Sequence, residues 1–345
     1  MKDKYIIPHT SSIIDALRRL NDLHSVSMTL FVVDGENHMV GTLTDGDVRR
    51  ALIRGESPQS DVGRAMNKEY HSIYRKDDLK CLRNLRMNGI TLIPVLDAEQ
   101  HIEEIIDLTE SKSALPIDAV LMAGGKGERL RPLTLNTPKP LLKIGDKAII
   151  DRNIDRLIDF GVKNISVTVN YLKEKIIEHY AVPKGNGIQV GCIAEEQFFG
   201  TIGSLKLIRE FHNDTILVMN SDLLTDIDFE DFYLHFKEND AMMSAAAIPY
   251  SVSVPYGIFE LNGRNISGVT EKPVLNLYAN AGIYLIKKEA LKYIPEKKVF
   301  NATDLIEALV ADKQSVIRYP LTGLWIDIGT PEEYKKAQEL VRHLK

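Results

Sequence analysis

Three glycines in four residues, Gly124, Gly125 and Gly127, follow directly on the apolar run Ile117–Met122. Glycine lets a backbone approach a ligand closely and aim its N–H groups at phosphate oxygens. The loop is not a P-loop, because no Gly-Lys-Ser/Thr opens a helix, and it lacks the G-x-G-x-x-G spacing of dinucleotide sites. Its distinguishing feature is charge. Arg129 and Lys139 flank a stretch stiffened by Pro132, Pro138 and Pro140. Arginine grips a polyphosphate through two parallel hydrogen bonds, whereas lysine places a compact charge on one phosphate. The glycines alone fit an ordinary turn equally well; with these cations and prolines attached they point to phosphate chemistry.

Two acids are placed to join that chemistry. Asp222 ends Asn220-Ser221-Asp222, directly after the apolar run Thr215–Met219. An acid at the end of a central strand holds Mg²⁺ against a phosphate or, alternatively, caps the next element. Asp327 lies in Trp325-Ile326-Asp327-Ile328, which reads as a buried strand. A buried carboxylate needs a partner, either a metal shared with Asp222 or a structural hydrogen bond. Farther along, Glu271-Lys272-Pro273 offers Glu271 to sugar hydroxyls and Lys272 to a second phosphate, or else a surface ion pair before a turn. Gly200 and Gly203, in the segment from Glu195 to Gly203, suit a loop packed against a flat base, or a plain strand-to-helix loop.

These residues need strands and helices to hold them. From Ile117 onward the two alternate. Strands are expected at 117–122, 164–169 and 215–219, and helices at 149–160, 173–180 and 229–239. Such alternation predicts a mostly parallel sheet with helices on both faces, with ligands beyond the carboxyl ends of the strands. Strands expected at 257–260, 266–270 and 279–286 lie closer together, so antiparallel pairing is expected there. A last strand at about 324–328 precedes a helix at about 331–343.

Before a polar seam at 110–116 the chain repeats itself. Thr29–Val33 and Met39–Leu43 read as strands around the turn signal Asp34-Gly35, and Asp45 begins a helix running to about Arg54. About sixty residues later come a strand at 90–96, a turn at 97–100 and a strand at 101–106. Helices at 12–21 and 77–88 precede the two copies, which together read as an internal duplication.

The 345 residues are 44% hydrophobic and 26% charged, an ordinary balance for globular domains. Residues 1–113 carry 15 basic and 18 acidic residues, the remainder 28 and 30, so neither part presents a nucleic-acid surface. No apolar run approaches the ~18–20 residues of a membrane span, and no signal-peptide-like segment follows Met1. Two cysteines, Cys81 and Cys192, make no disulfide framework and suit a reducing cytoplasm.

Taken together, the C-terminal motifs resemble those of the sugar-1-phosphate nucleotidyltransferases, the nucleotide-sugar pyrophosphorylases. The matching residues run in family order over about 117–345. They are Gly124-Gly125-x-Gly127-x-Arg129-Leu130-x-Pro132, Pro138-Lys139-Pro140, Glu195 with Gly200-Thr201-x-Gly203, and Asn220-Ser221-Asp222. Tyr256-Gly257, Glu271-Lys272-Pro273, Asn280-Ala281-Gly282 and Asp327-x-Gly329-Thr330 complete them. Glu128 departs from the family's usual Thr or Ser; it points outward, binds metal or marks an altered specificity. The duplicated part, 1–113, resembles a tandem CBS pair. Gly41-x-x-Thr44-x-x-Asp47 fits that family's ribose-binding pattern, whereas Glu104–Glu110 in the second copy does not.

The resemblance implies an α/β fold: a Rossmann-like, mixed, mostly parallel sheet flanked by helices over 117–345, behind a smaller α+β CBS-pair domain. It implies that an NTP and a sugar 1-phosphate give an NDP-sugar and pyrophosphate, with Mg²⁺ as cofactor. Asp222 and Asp327 are then the metal ligands, and they are catalytic together with Arg129 and Lys139. Gly124, Gly125, Gly127, Arg129, Lys139, Glu195, Gly200 and Thr201 are expected at the nucleotide, and Gly257, Glu271, Lys272 and Asn280 at the sugar phosphate. The CBS pair favours GTP as donor and bacterial surface-glycan precursors as destination, with UTP, dTTP or CTP as the alternative donors and a non-catalytic sugar-nucleotide sensor as the rival reading. Thr44 and Asp47 are expected to hold an adenine or guanine nucleotide, or the pair serves only to dimerise. A cytoplasmic homo-oligomer without nucleic-acid or membrane partners is expected.

Overall fold

The computed structural model describes residues 2–23, 28–74, 79–109 and 111–343. It divides into two compact units, Met1–Pro116 with Asp159–Gly161, and Ile117–Ile158 with Val162–Lys345.

In the first unit β1 (Ile6–Pro8) lies parallel to β2 (Thr29–Val33), which pairs antiparallel with β3 (Met39–Thr44). Helix α1 (Ile13–Asp22) joins β1 to β2, and α2 (Asp45–Ile53) follows β3. Ser12 starts α1 by accepting a hydrogen bond from Asp15 N at 3.2 Å, which satisfies one of the amide donors a helix leaves free at its start. The second copy repeats the plan. Ile73 bridges in parallel to Val95 of β4 (Leu92–Leu96), and β4 pairs antiparallel with β5 (Ile102–Asp107). Between Ile73 and β4 lies α3 (Leu79–Met87); the expected start of that helix at Asp77 falls outside the described residues. The duplication reaches individual hydrogen bonds. Asp34 Oδ1 accepts from Glu36 N and His38 N, both at 2.9 Å, and Asp97 Oδ1 accepts from Glu99 N at 2.9 Å and His101 N at 2.8 Å. The two histidine rings stack with centroids 4.8 Å apart. The first copy carries a helix after its hairpin, whereas the second runs on toward the seam.

The second unit is built on a seven-stranded sheet. Its strands are β6 (Ile117–Ala123), β9 (Asn164–Val169), β10 (Gly191–Ala194), β11 (Thr215–Asn220), β13 (Met243–Ser253), β16 (Val274–Lys287) and β17 (Val316–Pro320). The order is β10-β9-β6-β11-β16-β13-β17; β10, β9, β6 and β11 run parallel, and β16 is antiparallel to both its neighbours. Strands β6 and β11 sit centrally and are buried almost throughout, as their continuous apolar runs require when both faces are covered. Helices α4 (Ile149–Asp159), α5 (Lys173–His179), α6 (Phe229–Glu238), α7 (Ala302–Ala311) and α8 (Pro331–His343) surround it. Three small pairs complete the inventory: β7 (Lys143–Ile144) with β8 (Lys147–Ala148), β12 (Leu223–Thr225) with β18 (Trp325–Asp327), and β14 (Ile258–Asn262) with β15 (Asn265–Thr270).

The mixed sheet matches the expectation, with additions. The alanine-rich β13 and the apolar α7 carry weak sequence signals and were not anticipated, because alanine disfavours strands in isolation. Strand β16 begins at Val274, five residues earlier than expected. One local core matters for the site. Leu130, Leu142, Ile144 and Ile149 pack with Leu224, Ile326, Ile328, Ala337 and Val341. It binds the segment after the glycine loop to β12, β18 and α8, and so fixes the backbone that carries Arg129 and Lys139.

Candidate active site

The parallel strands β6 and β11 are neighbours, with Asn220 paired to Met122. Their carboxyl ends therefore deliver Gly124 and Asp222 to one edge of the sheet. Ser221 fixes the crossing: its hydroxyl donates to Met122 O at 2.6 Å and its amide at 3.2 Å. Asp327 arrives from 105 positions farther along by strand register. Leu223 is paired with Asp327 in the β12–β18 ladder, and Ile328 N donates to Asp222 O at 3.1 Å. Asn153 of α4 donates to Leu223 O at 2.8 Å, and Trp325 Nε1 donates to Ala281 O at 2.8 Å, which holds the ladder from both sides.

Between the two acids lies Lys139. It opens a short 3-10 turn, Lys139–Leu141, after Pro138, and its residue is 9% exposed. Its ammonium donates to Asp222 Oδ2 and stands 3.8 Å from Asp327 Oδ1. Burial and the facing Asp222 carboxylate push the Asp327 carboxyl above its ordinary value, against the pull of Lys139 and Arg129. Arg129 reaches the same ridge: a Cβ placed on Gly329 would stand 3.0 Å from its Nη2. Glu333 accepts from Gly329 N at 3.1 Å and Thr330 N at 3.0 Å, which anchors the turn between Asp327 and α8. Thus Arg129, Lys139, Asp222 and Asp327, expected together, are together.

The glycine loop lies alongside. A Cβ on Gly124 would stand 3.2 Å from Glu195 Oε1 and 3.4 Å from Asn170 Cβ, so the loop, Glu195 and the carboxyl end of β9 converge. Thr134 donates to Gly127 O at 2.8 Å, and Tyr171 donates to Thr134 O and Leu135 O at 3.1 Å, tying the loop down. Glu195 is buried and accepts from Phe199 N at 3.2 Å; burial raises its carboxyl above the ordinary value. Gly125 has open space around it. Glu128 is exposed and lies 3.7 Å from Arg131, so it points outward. Asn170 and Tyr171 were not anticipated; the available signal was their position just beyond a parallel strand, where such sheets bind ligands.

Other expected residues have structural duties. Gly200 has φ +82°, and a Cβ there would stand 2.6 Å from Phe300 O. Thr201 Oγ1 accepts from Ala302 N at 2.9 Å, and Thr201 N donates to Asn301 Oδ1 at 3.3 Å. Both residues therefore pin the start of α7. Asn280 accepts from Gly282 N at 3.0 Å and donates to Tyr284 OH at 2.7 Å. Gly282, at φ +71°, leaves room for Asn220, whose Nδ2 is 2.5 Å from where a Cβ would stand. Met219 of β11 is paired with Ile283, so Asn280 lies three residues beyond that register. Gly257, Glu271 and Lys272 are exposed, and Gly257 lies against the Glu271 carboxylate. Among the described residues no hydrogen bond or ion pair joins them to Lys139. In the first unit Thr44 caps α2: its hydroxyl donates to Asp47 Oδ2 at 2.6 Å and its amide at 2.8 Å, and Arg50 pairs with Asp47 Oδ1 at 2.7 Å. Although burial opposes it, these bonds hold the Asp47 carboxyl below its ordinary value.

Among the described residues no three His, Cys, Asp or Glu side chains cluster as a closed metal cage. Two carboxylates around a cation do fit Mg²⁺, which binds through one or two carboxylates and takes its other ligands from phosphates and water. Lys139 already occupies the cation position between them. Also among the described residues, no helix is long and apolar enough to cross a membrane.

A mostly parallel sheet that brings a glycine loop, two cations and two carboxylates to the carboxyl edge of its central strands is a phosphate-handling α/β domain. Residues 118–343 match the nucleotidyl transferase family, and residues 1–54 match the CBS domain. The chain belongs to the nucleotidyl transferase family. It is 32% identical over 231 residues to the mannose-1-phosphate guanylyltransferase catalytic subunit beta of Dictyostelium discoideum, covering 64% of each chain. It is also 32% identical over 223 residues to the mannose-1-phosphate guanyltransferase of Yarrowia lipolytica, covering 62% of this chain and 61% of that one. The chain thus spans less than two thirds of the length of these relatives. Among solved structures, HddC from Yersinia pseudotuberculosis superposes with a TM-score of 0.51 at 26% identity, covering 65% of this chain and 99% of that one. The same protein complexed with GMP-PN gives a TM-score of 0.50 at 25% identity, with the same coverage.

Proposed function

We propose that this protein transfers a guanylyl group from GTP to a sugar 1-phosphate, giving a GDP-sugar and pyrophosphate. The observation that carries the reading is the Lys139 ammonium held between Asp222 and Asp327 at the sheet edge, beside Arg129 and the glycine loop. The names of the relatives and the GMP-PN complex of the neighbour favour guanine as the base and mannose 1-phosphate as the first acceptor to try.

A sugar-phosphate oxygen attacks the α-phosphorus, the bond to the β-phosphate oxygen breaks, and pyrophosphate leaves with the electron pair. Such a reaction needs alignment and charge neutralisation more than acid–base chemistry. Lys139 leaves its carboxylate partners for the α-phosphate, and Arg129 draws charge toward the β- and γ-phosphates. Asp222 and Asp327 would hold Mg²⁺, which supplies neutralisation of phosphate charge when bound. Gly124, Gly125 and Gly127 admit the phosphates closely, with Glu195 behind them. Asn280 lies toward the acceptor side. Lys272 and Glu271, on an exposed segment, serve the acceptor phosphate and hydroxyls only when that segment folds toward the site. Losing Lys139 is expected to lower kcat on the order of 10²–10³-fold, as removal of one preorganised charge stabiliser does elsewhere.

The test is pyrophosphate release from GTP, UTP, dTTP, CTP and ATP, each against a panel of sugar 1-phosphates with Mg²⁺. Release confined to GTP supports the reading; release with another base moves the donor; no release with any pair removes the catalytic assignment. Supported by the CBS match, a nucleotide at Thr44 and Asp47 would regulate the reaction. The same two side chains form the capping box of α2, so nucleotide binding there is expected to be linked to the integrity of α2. Neither Cys81 nor Cys192 is in a disulfide, which supports a reducing cytoplasm as the setting.

A further inference from the structure

The two cations at the sheet edge are held in different ways. Lys139 is gripped by two carboxylates. Arg129 is exposed, and among the described residues its side chain makes no hydrogen bond or ion pair. An arginine left to itself samples many rotamers, and ordering it is among the costlier side-chain losses. A group that must meet phosphates in one orientation therefore needs something to place it. Packing supplies the first part. Leu130, next to Arg129, and Ile328, next to Gly329, are buried in the same hydrophobic cluster. The exit of the glycine loop and the turn after β18 are thus fastened together, and the Arg129 guanidinium lies over Gly329.

Gly329 is bare where that contact falls. A Cβ on it would stand 3.0 Å from Arg129 Nη2 and 3.3 Å from Arg129 Cζ, inside ordinary van der Waals contact. Its φ lies outside the left-handed region, so the space above this residue, rather than its backbone, calls for glycine. The same Cβ would stand 3.3 Å from Glu333 Oε2, so an acid and a guanidinium flank one empty position. The acid is fixed. Glu333 Oε2 accepts from Gly329 N at 3.1 Å, Thr330 N at 3.0 Å and Thr330 Oγ1 at 3.2 Å, and Thr330 Oγ1 accepts from Glu333 N at 3.3 Å. These bonds form a capping box at the start of α8. A helix start carries positive partial charge and repels a guanidinium; the Glu333 carboxylate offsets that repulsion.

We propose that the turn from Gly329 to Glu333 is the seat of Arg129: the bare surface of Gly329 receives the guanidinium, and the Glu333 carboxylate keeps it there beside Asp327. Gly329 and Glu333 are then positioning residues, since both act through Arg129. The proposal rests on the proposed reaction for what Arg129 meets, a chain of phosphates, but the seat itself belongs to the free protein.

The test is a double-mutant cycle on the full chain, combining Gly329→Ala with Arg129→Met. Two readouts are used: pyrophosphate release from GTP and mannose 1-phosphate with Mg²⁺, and binding of inorganic tripolyphosphate by isothermal titration calorimetry. Gly329→Ala should lower kcat roughly 10–100-fold, because a catalytic group moved by up to about 1 Å costs up to about 10²-fold. KM for GTP should change less, and thermal melting should match the wild type. In the Arg129→Met background the same alanine should change kcat by no more than about twofold. Glu333→Gln keeps an oxygen for the Gly329 and Thr330 amides and removes only the charge, so it serves should the alanine protein fail to fold. It should weaken tripolyphosphate binding and kcat with Arg129 present, and neither with methionine there. Equal losses in both backgrounds overturn the seat, because a structural defect acts regardless of Arg129. Wild-type behaviour of both variants, or a wild type that binds no tripolyphosphate, overturns it as well. No pyrophosphate release from any pair, with tripolyphosphate affinity still following the Arg129-dependent pattern, removes the proposed reaction and leaves the seat standing.

Discussion

Replacing Lys139 with methionine tests the electrostatic reading of the site most directly. The side chain is nearly isosteric but uncharged, so it leaves Asp222 and Asp327 facing each other without the cation that now lies between them. Removing one partner of a fully buried ion pair costs about 3–5 kcal/mol. Here the Lys139 side chain is 11% exposed but those of Asp222 and Asp327 are 23% and 40% exposed, so water screens part of the repulsion. A loss of roughly 2–3 kcal/mol is expected on that account. In a unit of this size each kcal/mol moves Tm by about 2–4 °C, so the melting temperature should fall by roughly 4–12 °C. Millimolar Mg²⁺ should then recover more stability in the variant than in the wild type, because the metal no longer competes with an internal cation. Differential scanning calorimetry with and without Mg²⁺ reads both effects, and Mn²⁺ binding followed by electron paramagnetic resonance should show higher affinity for the variant without nucleotide. A Tm unchanged within about 1 °C, or equal Mg²⁺ effects on both proteins, would refute the picture of Lys139 as the resident counter-cation.

Three further outcomes are expected. Glu195→Gln should remove a pH dependence: burial raises the Glu195 carboxyl, so the native state holds its proton more tightly than the unfolded chain. Wild-type stability should therefore fall as pH rises from the ordinary glutamate range through the raised value, while the glutamine protein loses that slope and is at least as stable at pH 8. Urea unfolding between pH 4 and 8 checks this, and a retained slope counts against it. Asp47→Ala should cost about 0.5–2 kcal/mol of first-unit stability through loss of its half of the α2 capping box, whatever its effect on nucleotide binding; chemical denaturation separates that cost from any change in kinetics. Gly200→Ala should cost about 1–3 kcal/mol from its left-handed backbone alone, and more because Phe300 O stands in the way of the new methyl group. An alanine protein as stable as the wild type by thermal melting would mean the loop before α7 adjusts freely.

Which chemistry is available can be read from local sequence alone. Glycines after a buried strand, Arg129 and Lys139 among prolines, and acids at the ends of apolar runs can be read in order because each depends on neighbours a few residues away. The same holds for the strands at 29–33 and 164–169 and the helix at 331–343, whose periodicity is local. The duplication in the first unit was legible for the same reason, and the structure carries it to the two Asp-x-Glu-x-His turns, while the CBS match covers residues 1–54 alone.

Tertiary structure decided how those residues are used. Asp222 and Asp327 meet only because Leu223 falls opposite Asp327 in a ladder whose strands are a hundred residues apart. Lys139 sits between them because a hydrophobic cluster formed from four separate segments fixes its turn. Thr201 reads as a ligand contact from its motif, and the fold also has its hydroxyl accept from Ala302 N at the start of α7, a helix whose apolar sequence gave little warning. Thr44 and Asp47 likewise serve first as a helix cap. In the β13–β16 ribbon, alternation of apolar residues foretold strands, but only the long-range pairing of β13 with β16 showed that the two run on together past the sheet. Local sequence sets the backbone and the chemical types. Long-range register and packing set which side chains are consumed in holding the fold, and so which remain free to act.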